Sequence, residues 1–319
     1  MRAAFYEQTG PAKEVIQLGE IATPEPGPGE ARVRIVFSGV NPTDVKSRAT
    51  GDVRGEFQIP NHDGSGVIDA VGEGVDPARV GERVWVFFAA LQRPWGTAAE
   101  YTVVPSDHAV PLPDNASFEL GASIGIPVMT AHRCLSADGP VEGKAVLVAG
   151  GAGAVGRASI EMARWAGAAR VIATVSNDEK ARIARDAGAG ATVNYRSENA
   201  IDELRDANVE RIVELALGRN LELDLAAAGA NCAIVSYANE GPNPTLEVRP
   251  LMSRNIVLRF VLVYTMPDEA IEQALRDITQ ALGDGALTEP QLHKFPLEDT
   301  AAAHEAMENG AVGKVLIEL

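Results

Sequence analysis

Apolar and polar positions alternate over Arg32–Gly39, and short apolar runs recur at Gly66–Val71, Arg83–Phe88 and Ala99–Val104. Glycine, proline and acidic residues bound each run. The punctuation is densest at Pro24, Pro26, Gly27, Pro28 and Gly29, and again at Gly72 and Gly74. Short strands with such turns predict a compact, barrel-like β domain. Near Ser117 the rhythm changes. Strand-like runs at Ala145–Ala149, Val171–Val175, Ala191–Asn194, Arg211–Leu215, Cys232–Tyr237 and Ile256–Val263 alternate with helical stretches. Those stretches are Ala154–Ala166, Asn177–Ala187, Glu198–Asp206 and Leu221–Ala228. The alternation predicts a parallel sheet with helices on both faces. Helical patterns at Pro267–Leu282 and Thr300–Asn309 and a last strand at Lys314–Leu319 follow.

A chain of 319 residues suits two domains rather than one core. The formal net charge of −16 disfavours nucleic acid and anionic membrane as partners. Cys134 and Cys232, far apart and without metal-ligand spacing, read as two free thiols of a reducing compartment. The N-terminus carries no apolar run of signal-peptide type, and no segment approaches the length of a membrane span. The expected location is cytoplasmic.

The clearest chemical signal is Gly150-Gly151-Ala152-Gly153-Ala154-Val155-Gly156, which follows one predicted strand and opens a helix. Glycines there permit a tight turn and let the backbone approach a pyrophosphate, and the helix N-terminus offers free N–H groups. The pattern is G-x-x-G-x-x-G, so it is a weak motif in a strong context. A contact of small residues between helix and sheet is the plain alternative. An NAD site usually has Asp or Glu at the tip of the next strand. Here Val175 is followed by Ser176 and Asn177, with Asp178, Glu179 and Lys180 only later. A hydroxyl and a lysine suit a 2′-phosphate, which points to NADPH. Ser176 and Glu179 also fit a helix capping box, and Lys180 alone fits a solvated helix face.

Several motifs then occur in order. They are Ser38-Gly39-Val40-Asn41-Pro42, Gly66–Gly74 with Val80–Val84, and Ile124-Gly125-Ile126-Pro127 with Thr130-Ala131. The glycine turn, Val193-Asn194-Tyr195-Arg196, Phe295-Pro296-Leu297 and Gly313-Lys314 follow. In this order the chain resembles the zeta-crystallin-like quinone oxidoreductases of the medium-chain dehydrogenases/reductases. The resemblance runs nearly end to end and implies a GroES-like catalytic domain (1–121 and 265–319) and a Rossmann domain (122–264). It implies that Asn41 and Thr130 lie near the nicotinamide and that Lys180 and Tyr195 surround the 2′-phosphate. It also implies that Tyr237, Ala238 and Asn239, with Phe260, Val261 and Leu262, line the cofactor, while Gly313 and Lys314 close the site.

Zinc relatives of this superfamily carry a cysteine where Asn41 stands, a histidine at His62 and another cysteine near Ile126. Two of three ligands are absent, so catalytic zinc is not expected. Two cysteines also rule out a four-cysteine structural site. His62 then reads as a hydrogen-bonded histidine. The inferred reaction is hydride transfer from NADPH to a quinone or related conjugated carbonyl, with Asn41 as a candidate donor to the acceptor carbonyl and no obvious general acid. Many family members carry a tyrosine where Lys46 stands. Phe57 and Trp95, in runs expected to border the acceptor, are candidate replacements, or Trp95 staples a loop. Asp44 and Arg48 suit an i,i+4 ion pair. A 2-enoyl-thioester or alkenal reductase and a non-catalytic NADPH-binding redox sensor are the competing readings. The apolar edge strand Ile256–Val263 predicts a homodimer.

Overall fold

A computed structural model describes all 319 residues. The chain divides into two compact units, residues 1–126 with 288–319, and residues 127–287.

In the second unit six parallel strands form one sheet. Their spatial order is Ala191–Asn194, Arg170–Val175, Ala145–Val148, Val209–Glu214, Ala228–Ser236, Val257–Phe260. Counted along the unit, this is the doubly wound order 3-2-1-4-5-6. The central strands are largely apolar, as suits a sheet with helices on both faces. Val171, Ile172, Ala173 and Val175 are all buried, as are Ile212, Val213, Ile234 and Val235. The outer strand Val257–Phe260 differs. Val257 and Phe260 are exposed, and so is Leu262 just beyond.

The first unit is built on a seven-stranded, largely antiparallel sheet. Its longest strand, Glu30–Val40, pairs with Asp63–Val71, Tyr101–Pro105 and the last strand, Lys314–Glu318. Two register shifts along Asp63–Val71 bend the pair. Val33, Ile35, Ile68, Val84, Val86 and Val104 fill the space the sheet encloses. A further two-stranded sheet pairs Arg2–Phe5 with Gln17–Glu20.

Two expectations need correction, and one helix is new. The helix Asp268–Gly283 belongs to the second unit, not to the first. It buries Ala274, Ile278, Ala281 and Leu282 there, and it is tied by His132 to Asp277 and by Trp165 to Asp284. The helix expected at Leu221 begins at Leu217. The helix Gly125–Ser136 has no counterpart in the periodicity, because its run of apolar residues is buried on every side.

Candidate functional site

The glycine turn lies at the C-terminal end of the sheet's first strand. Gly150 N–H donates to Thr174 Oγ1 (3.2 Å) and Gly151 N–H to the Thr174 carbonyl (3.0 Å), which anchors the turn to the neighbouring strand Arg170–Val175. Gly156 is needed for close approach, because a Cβ there would stand 2.2 Å from the Gly150 carbonyl oxygen. At Gly153 a Cβ would meet only that oxygen, at 3.4 Å, so this residue leaves room for a ligand rather than for protein. Ala154 and Val155 begin the helix Ala154–Trp165, and their N–H groups have no backbone acceptor. Free donors, the positive helix end and an open glycine fit a pyrophosphate.

The next two strand tips adjoin the turn. Asn194 pairs with Val175, and Tyr195 N–H donates to the Val175 carbonyl (3.0 Å), so Tyr195 lies beside Ser176. The expected capping box at Ser176 is not formed. Asn177 is the cap instead, its Oδ1 accepting from Lys180 N–H at 2.9 Å. The helix therefore starts one residue later, and the Ser176 hydroxyl stays at the strand tip. Lys180 occupies the first turn and makes no ion pair. Arg196, which the sequence reading did not single out, places its guanidinium 5.9 Å from the Tyr195 ring. No carboxylate stands at either tip; Asp178 and Glu179 are exposed on the helix.

Elsewhere on the second unit, Thr130 is buried on Gly125–Ser136. Tyr237 follows the fifth strand, and burial pushes its hydroxyl far above the ordinary tyrosine range. Ala238 accepts from Ser236 Oγ (3.2 Å), and Asn239 is exposed. Val261 N–H donates to the Ser236 carbonyl, while Phe260 and Leu262 are 70% and 55% exposed. Both cysteines are free and buried, and burial raises both thiols, so neither is a thiolate nucleophile.

The first unit holds a buried polar network that sequence spacing does not reveal. Asp63 is fully buried and accepts from Asn41 Nδ2 (2.7 Å), from Ile126 N–H (3.0 Å) and from Lys314 Nζ (3.3 Å). Lys314, only 1% exposed, also donates to Asn41 Oδ1 (2.8 Å). Asn41 therefore has both ends of its amide engaged and acts as the hub of the network. The Lys314 ammonium ends inside this unit, between Asn41 and Asp63. Gly313 shapes the turn before it, with φ +104° and Gln291 packed where a Cβ would point. Burial raises the pKa of Asp63, and the Lys314 ammonium opposes that. A Cβ at Gly125 would strike Asp63 Oδ1 at 2.1 Å, which explains that glycine in the Ile-Gly-Ile-Pro motif.

Asp44 extends the network. It accepts from Asn41 N–H (2.7 Å) and lies 2.5 Å from His62 Nδ1. The expected Asp44–Arg48 pair is absent, because Arg48 is buried against Glu308 and the Gly10 carbonyl. Burial works against the His62 imidazolium, yet the Asp44 carboxylate outweighs it and raises the His62 pKa. The pair borders a polar pocket of about 250 Å³ lined also by Tyr6, Arg54, Gln58 and Gln92. Phe57 and Trp95 do not line it. They stack edge to face at 5.4 Å, with Phe5 beyond Phe57, and pack partly buried on the unit's core. Lys46 is exposed on the helix Pro42–Thr50. Asn41, His62 and Ile126 supply one metal-ligand type among three, and no group of three or more His, Cys, Asp or Glu is gathered to hold a metal ion.

Residues 27–114 match the family described as alcohol dehydrogenase GroES-like domain, and residues 154–280 the family described as zinc-binding dehydrogenase. With the doubly wound sheet, they define a medium-chain dehydrogenase/reductase. The quinone oxidoreductase of Pongo abelii is 31% identical, covering 99% of this chain and 97% of its own. A 2-haloacrylate reductase of a Burkholderia species is 29% identical over 96% of this chain and 95% of its own. A mycobacterial quinone oxidoreductase has a TM-score of 0.88 at 27% identity, covering all of both chains. Its NADPH complex gives 0.84 at 26%, again over both whole chains. An NAD-dependent alcohol dehydrogenase also gives 0.88, at 28% over both whole chains. The chain belongs to the quinone oxidoreductase family and is an oxidoreductase. No helix is long and apolar enough to cross a membrane.

Proposed function

We propose that this protein is an NADPH-dependent, zinc-independent reductase of quinones or related conjugated carbonyls. One observation carries the cofactor choice. Ser176, Lys180, Tyr195 and Arg196 gather at two adjacent strand tips beside the glycine turn, and no carboxylate stands at those tips. A 2′-phosphate gains hydrogen bonds between opposite charges there, which a neutral ribose hydroxyl cannot match. The solved NADPH complex of a relative of this fold supports the same choice. Bound at the turn, NADPH supplies a hydride. The chain's own residues hold its pyrophosphate at Gly150–Gly156 and its 2′-phosphate at the tips. Asn41, locked by Lys314 and Asp63, is a positioning residue of the first unit in this reading.

A quinone takes protons from water after reduction. An enone needs a proton as well as the hydride, and the His62 imidazole, its pKa raised by the Asp44 carboxylate, is a source for one. That pair favours enone turnover as a second activity, and the likeness to a 2-haloacrylate reductase agrees. Initial rates of NADPH oxidation with a panel of quinones and enones test the reading. Turnover of at least one class is expected, and His62→Gln is expected to impair enones at least tenfold more than quinones. Tight NADPH binding with no turnover of either panel would make the protein a sensor instead.

The exposed apolar edge at Val257, Phe260 and Leu262 fits pairing with a second copy of this chain. Sedimentation at micromolar concentration is expected to show a dimer, and Phe260→Glu a monomer. A monomeric wild type sinks this part of the proposal.

A further inference from the structure

The second unit contains a cavity of about 460 Å³ remote from the glycine turn. It opens among the helices Gly125–Ser136, Ala154–Trp165 and Asp268–Gly283 and the loop at 139–142. Its size falls within the range of ligand pockets, about 300–1,000 Å³. The glycine turn precedes Ala154, whereas Met162 and Trp165, at the other end of the same helix, form part of the cavity wall. Twelve helical residues rise roughly 18 Å, so the two places are separate.

Its polar groups are specific. His132 is 6% exposed and places Nε2 2.8 Å from Asp277 Oδ2, an oxygen that also accepts from Gln273 Nε2 at 3.3 Å. A carboxylate needs a donor, so Nε2 carries the proton and Nδ1 is left as an acceptor. That Nδ1 is buried and has no partner. A buried acceptor without a donor keeps its desolvation penalty, which a ligand N–H that reached it would offset. Asp277 Oδ1 also takes no hydrogen bond from the protein. Both residues belong to the cavity wall, and their unpaired acceptors suit a ligand with more than one donor hydrogen.

Charge and ring chemistry narrow the class. Asp277 and Glu142 outnumber Arg133 among the charged groups of the wall. The net charge of −16 raises the local concentration of small cations. Trp165 is held at the wall by the hydrogen bond from Nε1 to Asp284 Oδ2 (2.9 Å), so its indole is a fixed surface for stacking or cation–π contact. We propose that this cavity is a second binding site, for a small aromatic cation bearing an ammonium or amidinium group.

Calorimetric titration with tryptamine, an indole ring with a terminal ammonium, tests this. Indole-3-propionate, the same ring with a carboxylate, is the control. Tryptamine is expected to bind at least tenfold more tightly than the control, and saturating NADPH should leave its affinity unchanged. Asp277→Asn removes charge without volume, and Ala270→Trp fills the cavity from its wall. Each is expected to weaken tryptamine at least tenfold while the melting temperature stays within a few degrees of wild type. Equal affinity for the two probes overturns the proposal. So does competition with NADPH, or unchanged tryptamine binding in the correctly folded Ala270→Trp protein.

Discussion

Lys314→Met is expected to cost about 3–5 kcal/mol of folding stability, because it strips the counter-charge from a buried carboxylate. Asp63 is wholly buried, and Asn41 and Ile126 alone do not neutralise it. The pH dependence gives the effect a signature. Burial already raises the Asp63 pKa above its unfolded value, and removing the ammonium raises it further. The folded state then holds its proton to higher pH than the unfolded state does. Stability is accordingly greatest below the unfolded pKa and falls as pH rises through the folded one. Urea denaturation should show the deficit of Lys314→Met shrinking on acidification, as Asp63 becomes neutral. Adding Asp63→Asn should recover much of the loss at pH 7. A deficit that grows towards acid, or a variant as stable as wild type, would show that the network is not held by this charge pair.

Gly156→Val is expected to weaken NADPH by about 100-fold or more and to destabilise the fold by about 1–3 kcal/mol. Its Cβ would stand 2.2 Å from a backbone oxygen of the same turn, so Gly150 must move and the donors of the turn move with it. Gly153→Ala is the informative partner. Nothing in the protein approaches its Cβ closer than 3.4 Å, so stability should be kept. The added methyl instead occupies room for the pyrophosphate, and affinity should fall by roughly tenfold. Fluorescence titration with NADPH, paired with thermal melts, separates the two effects. Equal binding by Gly156→Val and wild type would remove the turn from the cofactor site.

Much of this was legible in the chain. The strands that turn Val, Ile and Ala to both faces announced themselves as short apolar runs, and the glycine turn was readable from its setting after Val148 and before Ala154. The edge position of the sixth strand followed from its place at the end of the alternation. Other parts were not legible, for definable reasons. The strand Gln17–Glu20 is largely exposed and has no alternation to read. The helix Gly125–Ser136 is buried nearly all round, so no 3.6-residue period marks it. The helix Asp268–Gly283 showed its period but not its destination, since amphipathicity says that a face is buried and not against what.

The site divides the same way. Lys180 is suggested by the missing acid after Val175 and Tyr195 only by the family resemblance, whereas Arg196, adjacent in sequence, gains meaning once its guanidinium is seen near the Tyr195 ring. In the sequence Ser176 suits both a 2′-phosphate contact and a capping box; Asn177 provides the cap, a one-residue offset that composition cannot resolve. Lys314 and Asp63 lie 251 residues apart. Phe57 and Trp95 suit either an acceptor surface or a loop staple in the sequence, and only the structure shows that Phe57 packs edge to face on both Phe5 and Trp95.

The most direct measurement is kcat/KM for NADPH and for NADH with one good acceptor, in wild type and in Lys180→Ala. Losing one charge-assisted hydrogen bond to the 2′-phosphate is worth about 1.4 kcal/mol, or tenfold. Wild type is expected to favour NADPH by at least tenfold, and Lys180→Ala to lower that ratio about tenfold while leaving NADH turnover unchanged. A wild type that uses NADH as well as or better than NADPH would contradict the reading of the two strand tips as a 2′-phosphate site.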